Sequence, residues 1–219
     1  MSIKALIAVR SGSMRVENKN IRPFAESNLL TIKIQQLKRI KLLDGIIVNS
    51  NDDEMLSIAA SLGCECVKRD SHYASNSVSM SDVYRNMAEN FNGEIIVYAN
   101  VTNPLIEDDT IEKAISLFIE NRDKYDSLNT AHLIKEFLFL DNKPVNYELK
   151  NQPRSQDLPD ISALNFAINI IAKKTMIHTK NVVGNNPNIF FIDELEATDI
   201  DNPIDFAFSE FVYLSRKNC

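Results

Sequence analysis

Two stretches near opposite ends of a 219-residue chain carry residue types suited to phosphate chemistry. The first, "RSGSMRVENKN" from Arg10 to Asn20, follows the short apolar run Lys4 to Val9. Its small residues Ser11, Gly12 and Ser13 can turn backbone N–H groups into an anion-binding concavity, and Arg10, Arg15 and Lys19 flank them. Arginine adds a bidentate fork for phosphate oxygens and lysine a point charge. Neither GxxxxGK[ST] nor GxGxxG is present, so this is not a P-loop or a dinucleotide fingerprint. On composition alone, a solvated basic loop is the simpler reading. The second stretch is "ATDIDNPIDF". Asp199 and Asp201 stand two apart, so on extended backbone both carboxylates point to one side. Two carboxylates completed by water and phosphate oxygens suit Mg²⁺. The competing reading makes one of them the cap of the helix that begins at Pro203. Asn202 is better placed for that task, and Asp205 falls in the first turn as a dipole partner.

The elements that must bring these stretches together alternate between strand and helix. Apolar runs at Lys4–Val9, 44–50, 64–68, 93–100 and 125–133 read as strands, four of them separated by helical patterns at 28–40, 52–63 and 79–90. A further helix at 107–121 has acids in its first turn, and Ser79 or Ser81 is the candidate cap of the helix before it. A strand at 165–172, a short helix at 173–181, a strand at 188–193 and a helix from Pro203 complete the pattern. This order predicts a three-layer α/β/α sandwich with a mostly parallel sheet, whose ligands bind beyond the carboxyl ends of the strands. Residues 137–165 break the rhythm with three prolines and a hairpin signal at Asp141-Asn142, and read as an excursion that contacts another subunit or covers the site. The chain reads as one domain, 1–219, carrying that excursion.

Bulk properties narrow the partners. A formal charge of -6 argues against a nucleic-acid binder, so the local basic cluster points to a small anion. No apolar stretch approaches the roughly 18 residues of a membrane span, and the first dozen residues lack a signal peptide's pattern, so a cytoplasmic location is expected. Cys64, Cys66 and Cys219 form no disulfide framework, and the pair Cys64 and Cys66 reads as packing thiols. His72, His132 and His178 lack partners at metal-ligand spacing.

The loop "RSGSMRVENKN" resembles the R-[SA]-G-S-K-x-x-x-x-K-N signature of the acylneuraminate cytidylyltransferase family, with Met14 at the usual lysine and Arg15 beside it. Three more stretches resemble that family in the same order. "KRDSHYASNSVSMSDV" is similar to its base-holding segment, "ANVTNPLI" to L-Q-P-T-S-P-L-R, and "NQPRSQDLPDISALNFAINI" to Q-P-R-Q-x-L-P followed by N-G-A-I-Y. The resemblance implies a Rossmann-like sheet of the nucleotide-diphospho-sugar transferase type. It implies a CTP site of Arg10, Ser11, Gly12, Ser13, Arg15, Lys19, Asn20, Arg69, Ser79 and Met80. It assigns the sugar acid to Asn100, Arg154, Gln156 and Asn165, with Arg154 taking its carboxylate. The transfer itself falls to Arg10, Lys19, Asp199 and Asp201, the last two binding Mg²⁺. The implied activity couples a 2-keto sugar acid to CMP with release of pyrophosphate, in a homodimer. Asn100, Ile106, Phe166 and Asn169 replace the family's glutamine, arginine, glycine and tyrosine, which bears on the acceptor. Two other readings stay open: a glycosyltransferase using Asp199-Ile200-Asp201 as a D-x-D metal motif, and a CTP-binding paralogue without turnover.

Overall fold

Continuous apolar runs cannot alternate between a wet and a dry face, so the strands that carry them are covered on both sides. The computed structural model describes residues 1–13 and 15–217; Met14 and Cys219, both singled out above, lie outside the described residues. Strands β1 (Ile3–Ala8), β2 (Gly45–Ser50), β3 (Glu65–Lys68), β4 (Ile95–Ala99), β5 (Ser127–Ile134), β8 (Ile161–Ala172) and β9 (Pro187–Phe191) form one sheet in the order β3-β2-β1-β4-β8-β5-β9. All neighbours run parallel except β8, which is antiparallel to both β4 and β5. Helices α1 (Leu29–Arg39), α2 (Asp53–Ser61), α4 (Asp108–Asn121) and α6 (Pro203–Lys217) contribute to the apolar core on one face. Helices α3 (Met80–Glu89) and α5 (Lys173–Thr179) cover the other. The three-layer sandwich expected from the alternation is the observed fold.

Local signals act where the sequence places them. Asn28, Asp52 and Ser79 accept the first backbone N–H groups of α1, α2 and α3. Asn202 and Asp205 cap α6 reciprocally: Asn202 Oδ1 accepts from Asp205 N–H at 3.1 Å, and Asp205 Oδ2 from Asn202 N–H at 2.9 Å. The hairpin of β6 (Phe139–Leu140) and β7 (Lys143–Pro144) turns at Asp141 and Asn142, both with positive φ, as a two-residue turn between twisted strands requires.

Two features differ from the sequence reading. β8 already begins at Ile161, because Ile161 to Leu164 pair with Ala131–Ile134 of β5. A bulge over residues 165–168, four residues opposite Thr130 alone, then breaks the alternation and hides this stretch in the sequence. Cys66 is exposed rather than packed, because β3 is the last strand of the sheet and one flank has no neighbour.

Candidate functional site

The order β2-β1-β4 marks where the chain stops building leftwards from β1 and starts rightwards, and a crevice opens there beyond the carboxyl ends of the strands. Two cavities occupy it, sharing Ala8 at the end of β1 and Arg10 just beyond. One, of about 550 Å³, is lined by Gly12, Ser13, Arg15, Lys19 and Asn20 of the basic loop. The other, of about 320 Å³, is lined by Arg69, Tyr73, Met80 and Tyr98, among others.

The basic loop is held in shape by Asn51, which the sequence reading did not single out, and by Asn20, which it assigned to CTP. Asn51, just after β2, accepts from Ser11 N–H at 3.2 Å and donates to Ser11 Oγ at 2.9 Å. Asn20 is buried, and its amide donates to the Arg10 carbonyl at 3.1 Å, so part of its function is to close the loop. Gly12 has φ +82 with open space where a Cβ would sit, so backbone conformation rather than crowding calls for glycine there. Arg10 spans the boundary between the cavities, with Nη1 on the Ala74 carbonyl at 2.7 Å and Asn76 Oδ1 at 3.0 Å.

The second cavity has a buried cation at its base. Arg69 donates from Nε to Asn49 Oδ1 at 2.6 Å and from Nη2 to the Asn49 carbonyl at 2.9 Å. Burial holds its guanidinium below the ordinary range, with Tyr98 opposing and Arg10 adding to the shift. Asn49, a buried amide in an apolar strand, is the sequence signal that was missed. Ser79 caps α3 and donates its hydroxyl to Asp82 Oδ2 at 2.8 Å, while Met80 lies exposed at the cavity wall.

The two ends of the chain converge. Lys19 Nζ donates to the Ile200 carbonyl at 2.5 Å, and Arg15 Nη2 pairs with Asp201 Oδ1 at 2.8 Å. The joint is packed from behind: Phe24, fully buried, meets the rings of Phe206 and Tyr213 of α6 edge-on at 5.2 and 5.7 Å. Burying such a ring contributes about 1.5–3 kcal/mol, and each edge contact adds about 0.5–1.5 kcal/mol. Ala25 N–H also donates to Glu210 Oε1 at 2.6 Å. Burial lowers the Lys19 ammonium, while Asp199 and Asp201 oppose that shift. Asp199 is exposed by surface area, yet protein crowds its carboxylate. This desolvation raises its pKa, a Thr102 hydrogen bond lowers it, and the Asp201 charge raises it further. Among the described residues, no group of three or more His, Cys, Asp or Glu side chains could hold a metal by itself.

The residues assigned to the sugar acid are divided. Asn100 donates to the Phe166 carbonyl at 3.0 Å and so supports the β8 bulge. Asn165 is buried in that bulge; its Oδ1 accepts from Thr130 Oγ1 at 2.7 Å and Ala167 N–H at 3.1 Å, and its Nδ2 has no hydrogen-bond partner. Phe166 has φ +56, so the position where the resemblance expects glycine does demand left-handed backbone, at a cost of about 1–3 kcal/mol for a phenylalanine. Arg154 and Gln156 lie on the exposed excursion, outside the linings of both cavities, and Arg154 pairs with Asp157 at 2.7 Å.

A family profile described as Cytidylyltransferase matches residues 4–154. The "CMP-N,N'-diacetyllegionaminic acid synthase" of Campylobacter jejuni is 30% identical to this chain, covering 99% of it and 96% of the relative. The "Post-translational flagellin modification protein B" of Campylobacter coli is 29% identical over the same shares of each. Among solved structures, a CMP:2-keto-3-deoxy-manno-octonic acid synthetase complexed with CTP superposes with a TM-score of 0.70 at 9% identity, covering 99% of this chain and 100% of that one, which speaks to the fold alone. With the crevice, the basic loop and the profile in agreement, the chain belongs to the cytidylyltransferase family, the acylneuraminate type of CMP-sugar-forming nucleotidyltransferase.

Proposed function

We propose that this chain transfers the cytidylyl group of CTP to a hydroxyl of a nonulosonic acid of the legionaminic or pseudaminic kind, releasing pyrophosphate. The observation that carries this reading is the contact of Lys19 and Arg15 with the Ile200–Asp201 segment, which sets the aspartate pair beside the basic loop. The acceptor oxygen forms a bond to the α-phosphorus, the bond to the bridging α,β-oxygen breaks, and the acceptor's proton leaves to solvent. Arg10, Lys19 and the N–H groups of Gly12 and Ser13 bind the β- and γ-phosphates, where charge grows as pyrophosphate departs. Arg69 and Tyr98 receive the base. Asp199 and Asp201 fit Mg²⁺: two carboxylates near each other, with fewer than three protein ligands, leave positions for phosphate oxygens and water. When bound there, the ion supplies charge neutralisation on the phosphoryl oxygens and a lowered pKa for the attacking hydroxyl.

Asn165, with its unpaired buried amide nitrogen, is the acceptor-side residue with a donor to offer. The excursion exposes Phe139, Leu140, Val145 and Leu149, which favours a second copy of this chain as its partner, and Arg154 lies on the same excursion. The glycosyltransferase reading of Asp199-Ile200-Asp201 has no support from the matched family. The test is pyrophosphate release from CTP and Mg²⁺ across a panel of 2-keto sugar acids. Release with a nonulosonic acid is expected; CTP binding without release on any member would favour the paralogue without turnover.

A further inference from the structure

Lys33, in the middle of α1, is 0% exposed. Its Nζ donates to Gln36 Oε1 at 2.7 Å and to the Asn103 carbonyl at 3.0 Å. Among the described residues it forms no ion pair, although burying an ammonium costs far more than burying a neutral side chain of the same shape. The position therefore needs a physical reason. The segment it touches supplies one.

Asn103 belongs to the turn between β4 and α4, and α1 clamps that turn along its length. Gln36 Nε2 donates to the Ile106 carbonyl at 2.6 Å and to Asp108 Oδ1 at 3.1 Å, while Arg216 of α6 takes the Leu105 carbonyl at 2.7 Å. On its far side the same turn holds the aspartate segment. Asn103 Nδ2 donates to the Thr198 carbonyl at 3.1 Å and Ile200 N–H donates to the Thr102 carbonyl at 2.9 Å, so the turn holds the backbone on both sides of Asp199. We infer that Lys33 is a positioning residue for the aspartate pair: from behind the sheet its amine fixes the Thr102–Asn103 turn, and the turn orients Asp199. Burial pulls the Lys33 ammonium down to about 7, with Asp108 opposing and Arg39 adding to the shift. A neutral amine keeps two N–H groups, which match the two acceptors it meets.

The inference rests on the cytidylyltransferase reading in its kinetic arm only. Native-state amide hydrogen exchange on the full chain compares wild type with K33M, which keeps the volume and removes the donor. Exchange at the Ile200 amide is expected to quicken about 10- to 100-fold, as loss of a buried hydrogen bond opens the segment, while the amides of Val48 and Val97 keep their rates. N103A acts on the same link, so the double variant K33M/N103A should be no faster than the faster single one. In turnover, counted per folded molecule from the folded fraction at the assay temperature, K33M lowers kcat about tenfold and leaves KM for CTP within about twofold, a loss per folded enzyme that lost stability alone does not produce. Unchanged exchange at Ile200 in folded K33M, or additive effects of the two substitutions, overturns the inference. If K33M does not fold, K33Q is judged by the same criteria. Absence of turnover in wild type would count against the cytidylyltransferase reading and leave the exchange result to decide this one.

Discussion

Replacing Arg69 tests the proposal that the second cavity receives the base of CTP. The guanidinium has five N–H groups; Nε and one N–H of Nη2 are spent on Asn49, which leaves three for the cavity. Cytosine presents two adjacent acceptors, O2 and N3, that such a fork can satisfy together. Uracil has an N–H at position 3, so one donor meets another donor in a site where Arg69 is only 5% exposed and water cannot intervene freely. Losing one hydrogen bond to a buried charged group costs about 1.5–3 kcal/mol, a preference for CTP over UTP of about 10- to 150-fold. In R69M the fork is gone and the preference should fall to within about threefold, by the same bookkeeping. R69M also leaves Asn49 Oδ1 without its partner, so affinity for both nucleotides drops and the ratio, not either value, is diagnostic. Calorimetric titration of each nucleotide into wild type and R69M measures the ratio without requiring an acceptor. Full retention of the CTP preference in folded R69M would refute the assignment of Arg69 to the base.

Asp201→Ala should lower turnover by about 10²–10³-fold, the usual loss for one transition-state contact, with CTP binding less affected; near-normal turnover at saturating Mg²⁺ would remove Asp201 from the chemistry. Lys33 also makes stability depend on pH. Its folded pKa of about 7 lies below the ordinary 10.5, so between these values the unfolded chain binds more protons and stability rises with pH. From pH 7 to 9 the gain of wild type over K33M should be about 2 kcal/mol, read from urea unfolding at each pH; a flat difference would show that Lys33 keeps its charge in the fold. Above pH 9 the buried Tyr98 hydroxyl and the Cys64 thiol, both raised by burial, act with the opposite sign in wild type and K33M alike, so they cancel in the difference.

Patterns that depend on neighbours in sequence were legible without a structure. The βα alternation, the cap of α6 at Asn202 and the turn at Asp141-Asn142 all arise from groups a few residues apart, whereas the return bond from Asn202 N–H to Asp205 was read only as a dipole partnership. So was the existence of a basic loop and an aspartate pair, because residue type and spacing suffice to name those. The bulge around Phe166 masked the start of β8, since its three extra residues, an odd number, reverse the faces on which an alternating pattern is read. Arg69 could be named from the sequence as a candidate, but its Asn49 partner could not, and Lys33 looked like any polar residue on a helix.

Order along the chain therefore determined the layers, the strand sequence and the inventory of chemical groups. What only the tertiary structure decided is that Lys19 reaches the Ile200 carbonyl across 181 residues, and that Phe24 locks the loop to α6 behind that contact. The physical reason is that packing between distant elements chooses which surfaces share water-free space. A side chain's role as anchor, brace or ligand depends on what it meets there.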